Sequence, residues 1–352
     1  MDAQKKTPIT ELGEFGLINH LMKDVEIKDK STIKGVGDDA AVINNGIYQT
    51  LVTTDLLVEG VHFDITYSPL KHLGYKAVVV NLSDIAAMNG MPKQITVSLA
   101  ISSRYTVEAL DELYKGIKLA CSNYGVDFVG GDTTSSRSGL VISVTAIGQV
   151  MSDKVVYRSG ARENDLICVS GTLGGAYAGL MVLEREKKAF QASKGGQPDL
   201  DSYEYVLERQ LKPEPRLDVV QALEQLKVKP SSMMDISDGL ASEILHICQN
   251  SAMGADIYEE KLPVDVQTAR VAEEVKLDPT TFAMNGGEDY ELLFTIHQDD
   301  YEKIKDNPAF AIIGHIREHN SGVHLIAKDG SSSPVKAQGW DALLKKKMDN
   351  PG

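Results

Sequence analysis

The sequence predicts a two-domain chain of the α/β (α+β) class. Its 352 residues correspond to about two domains at the usual size of roughly 100–200 residues each. Stretches with the two-residue period of half-buried strands alternate along the chain with stretches of helical spacing. A polar segment at 152–154 separates the last strand of one such unit from the first strand of the next. We therefore expect an N-terminal domain over 1–151 and a C-terminal domain over 152–352.

In the N-terminal domain the patterns predict a β-rich region, two helices and further strands. The β-rich region covers 32–65. The first helix has Ser68 as its expected N-cap, Pro69 at its first position and Gly90 at its end, because proline is favoured at the start of a helix and glycine stops one. The remaining elements are a strand at 94–101, a helix at 106–124 and strands at 127–129 and 140–150.

The C-terminal domain begins with a strand at 166–169, a glycine-rich turn at 170–175 and a helix to about residue 188. A helix N-terminus can bind phosphate. This turn lacks the Lys-Ser/Thr pair of a P-loop and a complete GxGxxG, so we favour a structural role for it. The other predicted elements are a surface loop at 193–202, a helix at 216–226, a strand at 233–236, a helix at 240–249, a strand at 290–296 and a polar tail from 345.

Composition excludes several classes of protein. The 36 basic and 50 acidic residues give a net charge of −14, which argues against a basic nucleic-acid interface. No apolar run approaches the roughly 20 residues that span a bilayer, and the N-terminus has no signal-peptide pattern. The cysteines Cys121, Cys168 and Cys248 lie too far apart to suggest a metal motif or a disulfide framework. We expect a cytoplasmic protein with no membrane or nucleic-acid partner.

Acidic residues recur beside glycine or other small residues at the ends of the predicted elements. Carboxylate oxygens are the ligands that Mg²⁺ prefers in proteins, and a neighbouring glycine lets a polyphosphate approach the backbone. Two carboxylates about 4 Å apart repel by roughly 4 kcal/mol at an effective dielectric constant of about 20, so acids that converge require a cation or a shared proton. The acids concerned are Asp38, Asp39, Asp55, Asp84, Asp132, Asp235, Asp238, Glu288 and Asp289.

Any one of these clusters, taken alone, is more typical of a turn than of a functional site. Asp84 is different because it falls on a mostly apolar helical stretch, where an unpaired carboxylate is costly. The HExxH motif of zinc enzymes is absent from the sequence, and so is the GxSxG motif of a serine nucleophile. The pattern favours a hard-cation site over covalent catalysis.

The order of these motifs resembles the thiamine-monophosphate kinase family, part of the ATP-binding superfamily typified by aminoimidazole ribonucleotide synthetase. The most specific segments are TTDLLVEGVHF at 53–63 and GGEDYEL at 286–292. The other segments that carry the resemblance are 35–41, 81–88, 130–134, 158–161 and 235–240. Together they span nearly the whole chain.

The resemblance implies an aminoimidazole ribonucleotide synthetase-like fold whose N-terminal sheet forms a barrel across a homodimer. It implies ATP-dependent transfer of a phosphoryl group to thiamine monophosphate, assisted by several Mg²⁺ ions. The implied metal ligands are Asp39, Thr53, Thr54, Asp55, Asp84, Asp132, Asp235 and Asp238. The implied ATP contacts are Tyr124, Gly131, Asp132, Arg158 and Ser237, and the implied substrate contacts are His62, Glu288 and Trp340.

The chemistry of the acceptor agrees with that reaction. A phosphate monoester has a second pKa of about 6, so near neutral pH an ionised oxygen is available as nucleophile. We therefore expect neither a covalent nucleophile nor a general base on the protein, and the problem becomes one of positioning and charge neutralisation. We expect Asp55, Asp84 and Asp132 to hold the metals nearest the transferred group. The face of Trp340 could stack on the cationic ring system.

Two other functions remain open on the sequence. One is another ATP-using enzyme of the same superfamily, acting on a purine intermediate or on selenide; a selenide enzyme would carry a reactive cysteine near its N-terminus, and the first cysteine here is Cys121. The other is a non-catalytic protein that binds divalent metal or nucleotide. Acidic clusters two hundred residues apart suit a nucleotide cleft better than a compact metal-sensor loop.

Overall fold

A computed structural model describes residues 11–193 and 199–337 of the chain. Trp340, the tail from residue 345 and part of the expected surface loop at 193–202 lie outside the described residues. No helix in the described ranges combines the length and the apolar character that a bilayer crossing requires.

The N-terminal part forms a six-stranded sheet in the order β1-β2-β3-β6-β4-β5. Strand β4 is antiparallel to β6 and parallel to β5. The strands are β1 Thr32–Lys34, β2 Ala41–Asn45, β3 Tyr48–Val58, β4 Met91–Ser102, β5 Asp127–Ser136 and β6 Val141–Met151, and the helices are α1 Gly13–Met22, α2 Leu70–Ala87 and α3 Val107–Tyr124.

One face of this sheet is covered by α2 and α3, and the other face is open. Along β4 and β6 the side chains alternate, with Ile95, Val97, Ile142 and Val144 buried in one core with residues of both helices. The strand β5 is exposed over nearly its whole length. The period-2 pattern therefore identified β4 and β6 correctly, whereas β5 extends well beyond the expected 127–129.

Helix α2 begins one residue later than expected, and its cap is different. Its N-cap is Pro69, which has extended backbone angles and no side-chain cap, so the expectation that Ser68 is the N-cap was wrong. The expected C-terminal end of α3 is confirmed by Gly125, which has a φ of 63°, a conformation that glycine adopts without strain. The two helices cross closely: a Cβ on Gly116 would lie 1.9 Å from the Lys71 carbonyl oxygen.

The C-terminal part forms a seven-stranded sheet in the order β13-β12-β9-β11-β7-β10-β8. Its strands are β7 Leu166–Ser170, β8 Ser232–Asp235, β9 Gly254–Tyr258, β10 Leu292–Ile296, β11 Phe310–Arg317, β12 Val323–Ile326 and β13 Ser332–Pro334. Its helices are α4 Gly175–Ser193, α5 Glu204–Leu211, α6 Leu217–Gln225, α7 Leu240–Ser251, α8 Val266–Glu274, α9 Pro279–Asn285 and α10 Tyr301–Ile304. The sequence patterns did not identify α1, α5, α8 to α10, β9 or β11 to β13.

The glycine-rich turn before α4 has the structural role that we favoured. The buried Asp289 carboxylate accepts hydrogen bonds from the backbone N–H of Gly174 at 2.6 Å and of Ala176 at 3.2 Å. These N–H groups belong to the first turn of α4, where the helix presents unpaired donors and positive charge. The protein's own carboxylate therefore occupies the position that a phosphate would take.

Candidate metal and substrate site

Three aspartates from distant parts of the sequence converge where the two sheets meet. Asp39 precedes β2, Asp84 lies in the last turn of α2, and Asp235 ends β8. One carboxylate oxygen of each lies within 4.8 Å of the others. We refer to Asp39, Asp84 and Asp235 as the aspartate cluster. Convergence of this kind distinguishes them from turn aspartates.

Hydrogen bonds hold each carboxylate of the cluster in place. The Thr53 hydroxyl donates to Asp84 Oδ2 at 2.5 Å. The buried Ser83 hydroxyl, on the next residue of α2, donates to Asp235 Oδ2 at 2.6 Å. Adjacent side chains of α2 thus bond to both parts of the fold: Asp84 to Thr53 of its own sheet and Ser83 to Asp235 of the other sheet.

Arg158 adds a positive charge at the edge of the cluster. Its Nη2 lies 2.7 Å from Asp39 Oδ1, and its backbone N–H donates to Asp38 Oδ1 at 3.0 Å. The second oxygen of Asp39 is buried and has no hydrogen-bond partner within the described ranges. A buried carboxylate oxygen without a donor is costly, and a bound cation removes that cost.

The electrostatics of the cluster fit a divalent cation. Burial, followed by the charges of Asp55, Asp235 and Asp39, raises the pKa of Asp84 well above its ordinary value. Burial raises the pKa of Asp55 to about 6. Burial, with Asp39 next, raises the pKa of Asp235 to about 7. An all-oxygen donor set that is reluctant to ionise without a cation has the chemistry of a Mg²⁺ site.

Strand β3 contributes residues to both faces of its sheet. The Thr53 side chain bonds to Asp84 of α2, so Thr53 and, two residues further along the strand, Asp55 lie on the helix-covered face beside the cluster. The backbone N–H of Asp55 donates to Asn81 Oδ1 of α2 at 2.9 Å. Thr54 lies on the opposite face, where its hydroxyl donates to the Val144 carbonyl at 3.0 Å. Strand alternation therefore separates the Thr54 side chain from Thr53, Asp55 and the aspartate cluster.

The chain does not bring Gly131 and Asp132 to the aspartate cluster. Both lie on the edge strand β5, where Asp132 pairs with the exposed Ser98 of β4 and so shares its open face. Strand β5 is three positions from β3 in the sheet, which is about 14 Å at the usual strand spacing. Gly131 also has a packing role, since a Cβ there would lie 1.8 Å from the Val97 carbonyl oxygen.

Tyr124 lies apart from the cluster as well. Its hydroxyl is 3.0 Å from the Tyr75 hydroxyl and donates to Glu214. Tyr75 is nine residues before Asp84 on α2, which places the two side chains on opposite sides of that helix at 100° per residue. Tyr124 and Glu214 line a cleft of about 330 Å³ together with Arg209 and Arg216.

The loop after β8 brings the remaining expected contacts together. The backbone N–H of Glu288 donates to the Ser237 carbonyl at 2.7 Å. The Glu288 carboxylate lies 3.0 Å from Lys76 Nζ. Burial lowers the pKa of His62, and the charge of Glu288 opposes that shift. His62 Nδ1 accepts a hydrogen bond from the Val58 N–H at 3.0 Å, so the acceptor side of the ring faces the end of β3.

Sequence reasoning missed two buried residues at this site. Glu243, in the first turn of α7, accepts a hydrogen bond from the Asp238 N–H at 2.9 Å, and Tyr290 is only 8% exposed. Glu243 carries no local signal, because it lies in an ordinary amphipathic helix. Tyr290 lies inside the GGEDYEL segment, so its place in the motif was an available signal.

Comparison with known proteins places the chain in a family. Family models described as AIR synthase related protein match its N-terminal domain over residues 37–150 and its C-terminal domain over 162–326. A thiamine-monophosphate kinase of Bacillus subtilis is 34% identical over 337 residues, covering 94% of this chain and 99% of the relative. One of Aquifex aeolicus is 36% identical, covering 94% and 98%. The chain belongs to the thiamine-monophosphate kinase family.

Comparison with solved structures supports the same family assignment. The structure of AaThiL complexed with AMPPCP and TMP matches with a TM-score of 0.82 and 34% identity, covering 96% of this chain and 99% of that one. The two-domain aminoimidazole ribonucleotide synthetase-like fold is confirmed. A structure of the hydrogenase maturation protein HypE with ATP matches at a TM-score of 0.67 and 19% identity, which supports the fold alone.

Proposed function

We infer that the protein transfers the γ-phosphoryl group of ATP to thiamine monophosphate and so forms thiamine diphosphate. The observation that carries this inference is the convergence of Asp39, Asp84 and Asp235 in a chain that matches thiamine-monophosphate kinases over nearly its whole length. A non-catalytic metal protein would not need a second group of residues, His62, Lys76 and Glu288, beside the cluster.

We propose that the cluster, with Asp55 and Asp238, holds Mg²⁺. Bound Mg²⁺ supplies the positive charge that neutralises phosphoryl oxygens in such transfers. Thr53 and Ser83 orient the carboxylates through hydrogen bonds of 2.5 and 2.6 Å. Arg158 is placed to bind a phosphate oxygen of ATP next to Asp39, and Ser237 lies on the adjacent loop.

The residues around Glu288 suit the acceptor. Thiamine carries a cationic ring, and the Glu288 carboxylate supplies a negative charge, while Lys76 beside it supplies a positive charge for an anionic group. His62 stays neutral near pH 7 because burial lowers its pKa. Its ring can then contact the thiamine rings without opposing their charge. Stacking of Trp340 stays a prediction.

We further propose a homodimer in which the open face of the N-terminal sheet meets its copy. That face carries Thr54, Leu56 and Asp132, and Leu56 is 52% exposed. An exposed edge strand such as β5 is a surface that proteins usually cover. In this arrangement Gly131 and Asp132 of one chain reach the nucleotide of the other, which reconciles their expected role with their distance from the cluster. A cytoplasmic location remains part of this proposal.

The test is phosphoryl transfer from ATP to thiamine monophosphate by the purified protein. We expect thiamine diphosphate, detected by chromatography, with Mg²⁺ present and none after chelation. Aminoimidazole ribonucleotide synthesis and selenide-dependent ATP cleavage, measured in parallel, separate this function from those of the superfamily relatives. Magnesium-dependent ATP binding without thiamine diphosphate formation would contradict the proposed acceptor and leave the nucleotide site standing.

A further inference from the structure

Tyr290 lies at the junction of the substrate residues and the aspartate cluster. It follows Glu288 and Asp289 on the segment that crosses the loop after β8. Its backbone N–H donates to the Ile236 carbonyl at 2.9 Å, one residue beyond the cluster aspartate Asp235. The side chain is 8% exposed, so it is an almost fully buried phenol in a region rich in carboxylates.

The backbone around Tyr290 has an unusual conformation. Glu288 has a φ of 67° and Tyr290 a φ of 51°, whereas non-glycine residues rarely adopt the left-handed region. Such strained conformations cluster at functional sites. Asp289 between them has its carboxylate on the first turn of α4. The conformation thus allows one residue to cap a helix while both its neighbours serve the site.

The charged groups around Tyr290 come from both the substrate side and the metal side of the site. Its hydroxyl interacts electrostatically with Glu288 on the substrate side and with Asp55, Asp235 and Asp238 on the metal side. A tyrosine phenol has an ordinary pKa of about 10, so near neutral pH it keeps its proton and remains a hydrogen-bond donor.

We propose that the Tyr290 hydroxyl donates a hydrogen bond to the phosphate of thiamine monophosphate and holds it against the aspartate cluster. This inference rests on the proposed function. The acceptor phosphate must lie between the thiamine rings and the transferred group, and Tyr290 lies between the residues assigned to each. An uncharged donor can hold a non-reacting oxygen without lowering the basicity of the attacking oxygen as strongly as a cation would.

The experiment compares wild type with Tyr290→Phe, which removes one oxygen and keeps the ring. We expect kcat to fall about 10-fold to 100-fold and KM for thiamine monophosphate to rise several-fold, with KM for ATP within twofold of wild type. This loss is smaller than the roughly 100-fold to 1,000-fold of one donor at a reacting oxyanion, because the Tyr290 hydroxyl would hold a non-reacting oxygen. The matched control is Tyr203→Phe, because Tyr203 is also 8% exposed and donates to a carboxylate, Glu274, at 2.8 Å. The control should retain wild-type kinetics.

Calorimetry separates phosphate recognition from a general disturbance of the pocket. Tyr290→Phe should weaken binding of thiamine monophosphate and leave binding of thiamine, which lacks the phosphate, unchanged. Equal weakening of both ligands, or kcat and KM within twofold of wild type, would overturn the proposal. If wild type binds thiamine monophosphate but forms no diphosphate, the proposed function fails while this binding comparison still decides the role of Tyr290.

Discussion

The protonation of the buried carboxylates in and beside the aspartate cluster depends on pH. In the absence of a cation, burial raises the pKa of Asp55 to about 6, and burial with the charge of Asp39 raises that of Asp235 to about 7. Between about pH 4 and pH 7 the folded protein therefore binds more protons at these groups than the unfolded chain does. By linkage, their contribution to the free energy of unfolding decreases as pH rises through this range.

We predict that Mg²⁺ stabilises the protein more at pH 8 than at pH 5.5. Protons compete with the cation for the same oxygens, so at the lower pH the site is partly protonated and binds weakly. With Mg²⁺ at a hundredfold excess over its dissociation constant at pH 8, binding contributes about 2.7 kcal/mol, or roughly 4 °C in Tm for a protein of this size. Differential scanning fluorimetry with Mg²⁺ and with chelator at both pH values measures the difference.

Asp84→Asn is the control for that prediction. It removes a cluster charge while keeping the shape, and it leaves the oxygen that accepts from Thr53 as an amide acceptor. The Mg²⁺-dependent shift at pH 8 should fall below about 1 °C, because a ligand has lost its charge. An equal shift at pH 5.5 and pH 8 in wild type would show that these carboxylates do not take up the cation.

At the scale of elements, helix α2 organises the site. Its residues Ser83 and Asp84 contact both sheets, and Asn81 accepts from β3. The helix can lie deep in the protein because α3 approaches it at Gly74 and Gly116, where an added Cβ would lie 2.0 Å from the Leu113 carbonyl oxygen and 1.9 Å from that of Lys71. The two glycines are therefore a packing requirement of the site.

We predict that Gly116→Ala destabilises the protein although alanine is the better helix former. Forcing a methyl group against backbone costs about 1–3 kcal/mol, more than the roughly 0.5–1 kcal/mol that alanine gains over glycine in a helix. Urea unfolding measures the change. Gly16→Ala in α1 is the matched control, since its Cβ would meet only Leu12 Cβ at 3.4 Å. Unchanged or higher stability in Gly116→Ala would contradict the close crossing of α2 and α3.

Sequence patterns identified elements better than they identified side-chain directions. Helix α3 and strand β6 follow clear periods, and the two-domain fold was expected correctly. The face that Thr54 occupies depends on pairing with β6, which no local pattern reveals. Residues of the GGEDYEL motif likewise have different roles: Asp289 caps α4, and Glu291 forms an ion pair with Arg209 at 3.0 Å. Such roles depend on contacts with tertiary partners, and these partners lie far away in the sequence.

At the scale of the whole molecule, the site exists only where separate parts of the fold meet. Asp39 and Asp84 come from the N-terminal sheet and its helix, and Asp235 comes from the C-terminal sheet. The Ser83–Asp235 hydrogen bond of 2.6 Å ties the two parts together at the cluster. Asp132 faces away from that junction, so one chain alone leaves an expected ligand unused.

The dimer proposal predicts complementation between two inactive variants. Asp84→Asn and Asp132→Asn should each lower kcat by at least 100-fold as homodimers. In a mixed dimer, one of the two sites combines an intact cluster from one chain with an intact Asp132 from the other. Random mixing makes half of the dimers mixed, so co-expression should restore about a quarter of wild-type activity.

A pair of variants within one cluster is the control. Asp84→Asn mixed with Asp235→Asn should restore nothing, because every site then contains one altered chain that supplies its whole cluster. If Asp132 acted within its own chain, the first mixture would stay inactive too, since each site would again hold one substitution. If Asp132→Asn alone kept wild-type activity, Asp132 would not contact the reacting groups at all, and β5 would serve the protein only as a surface for assembly.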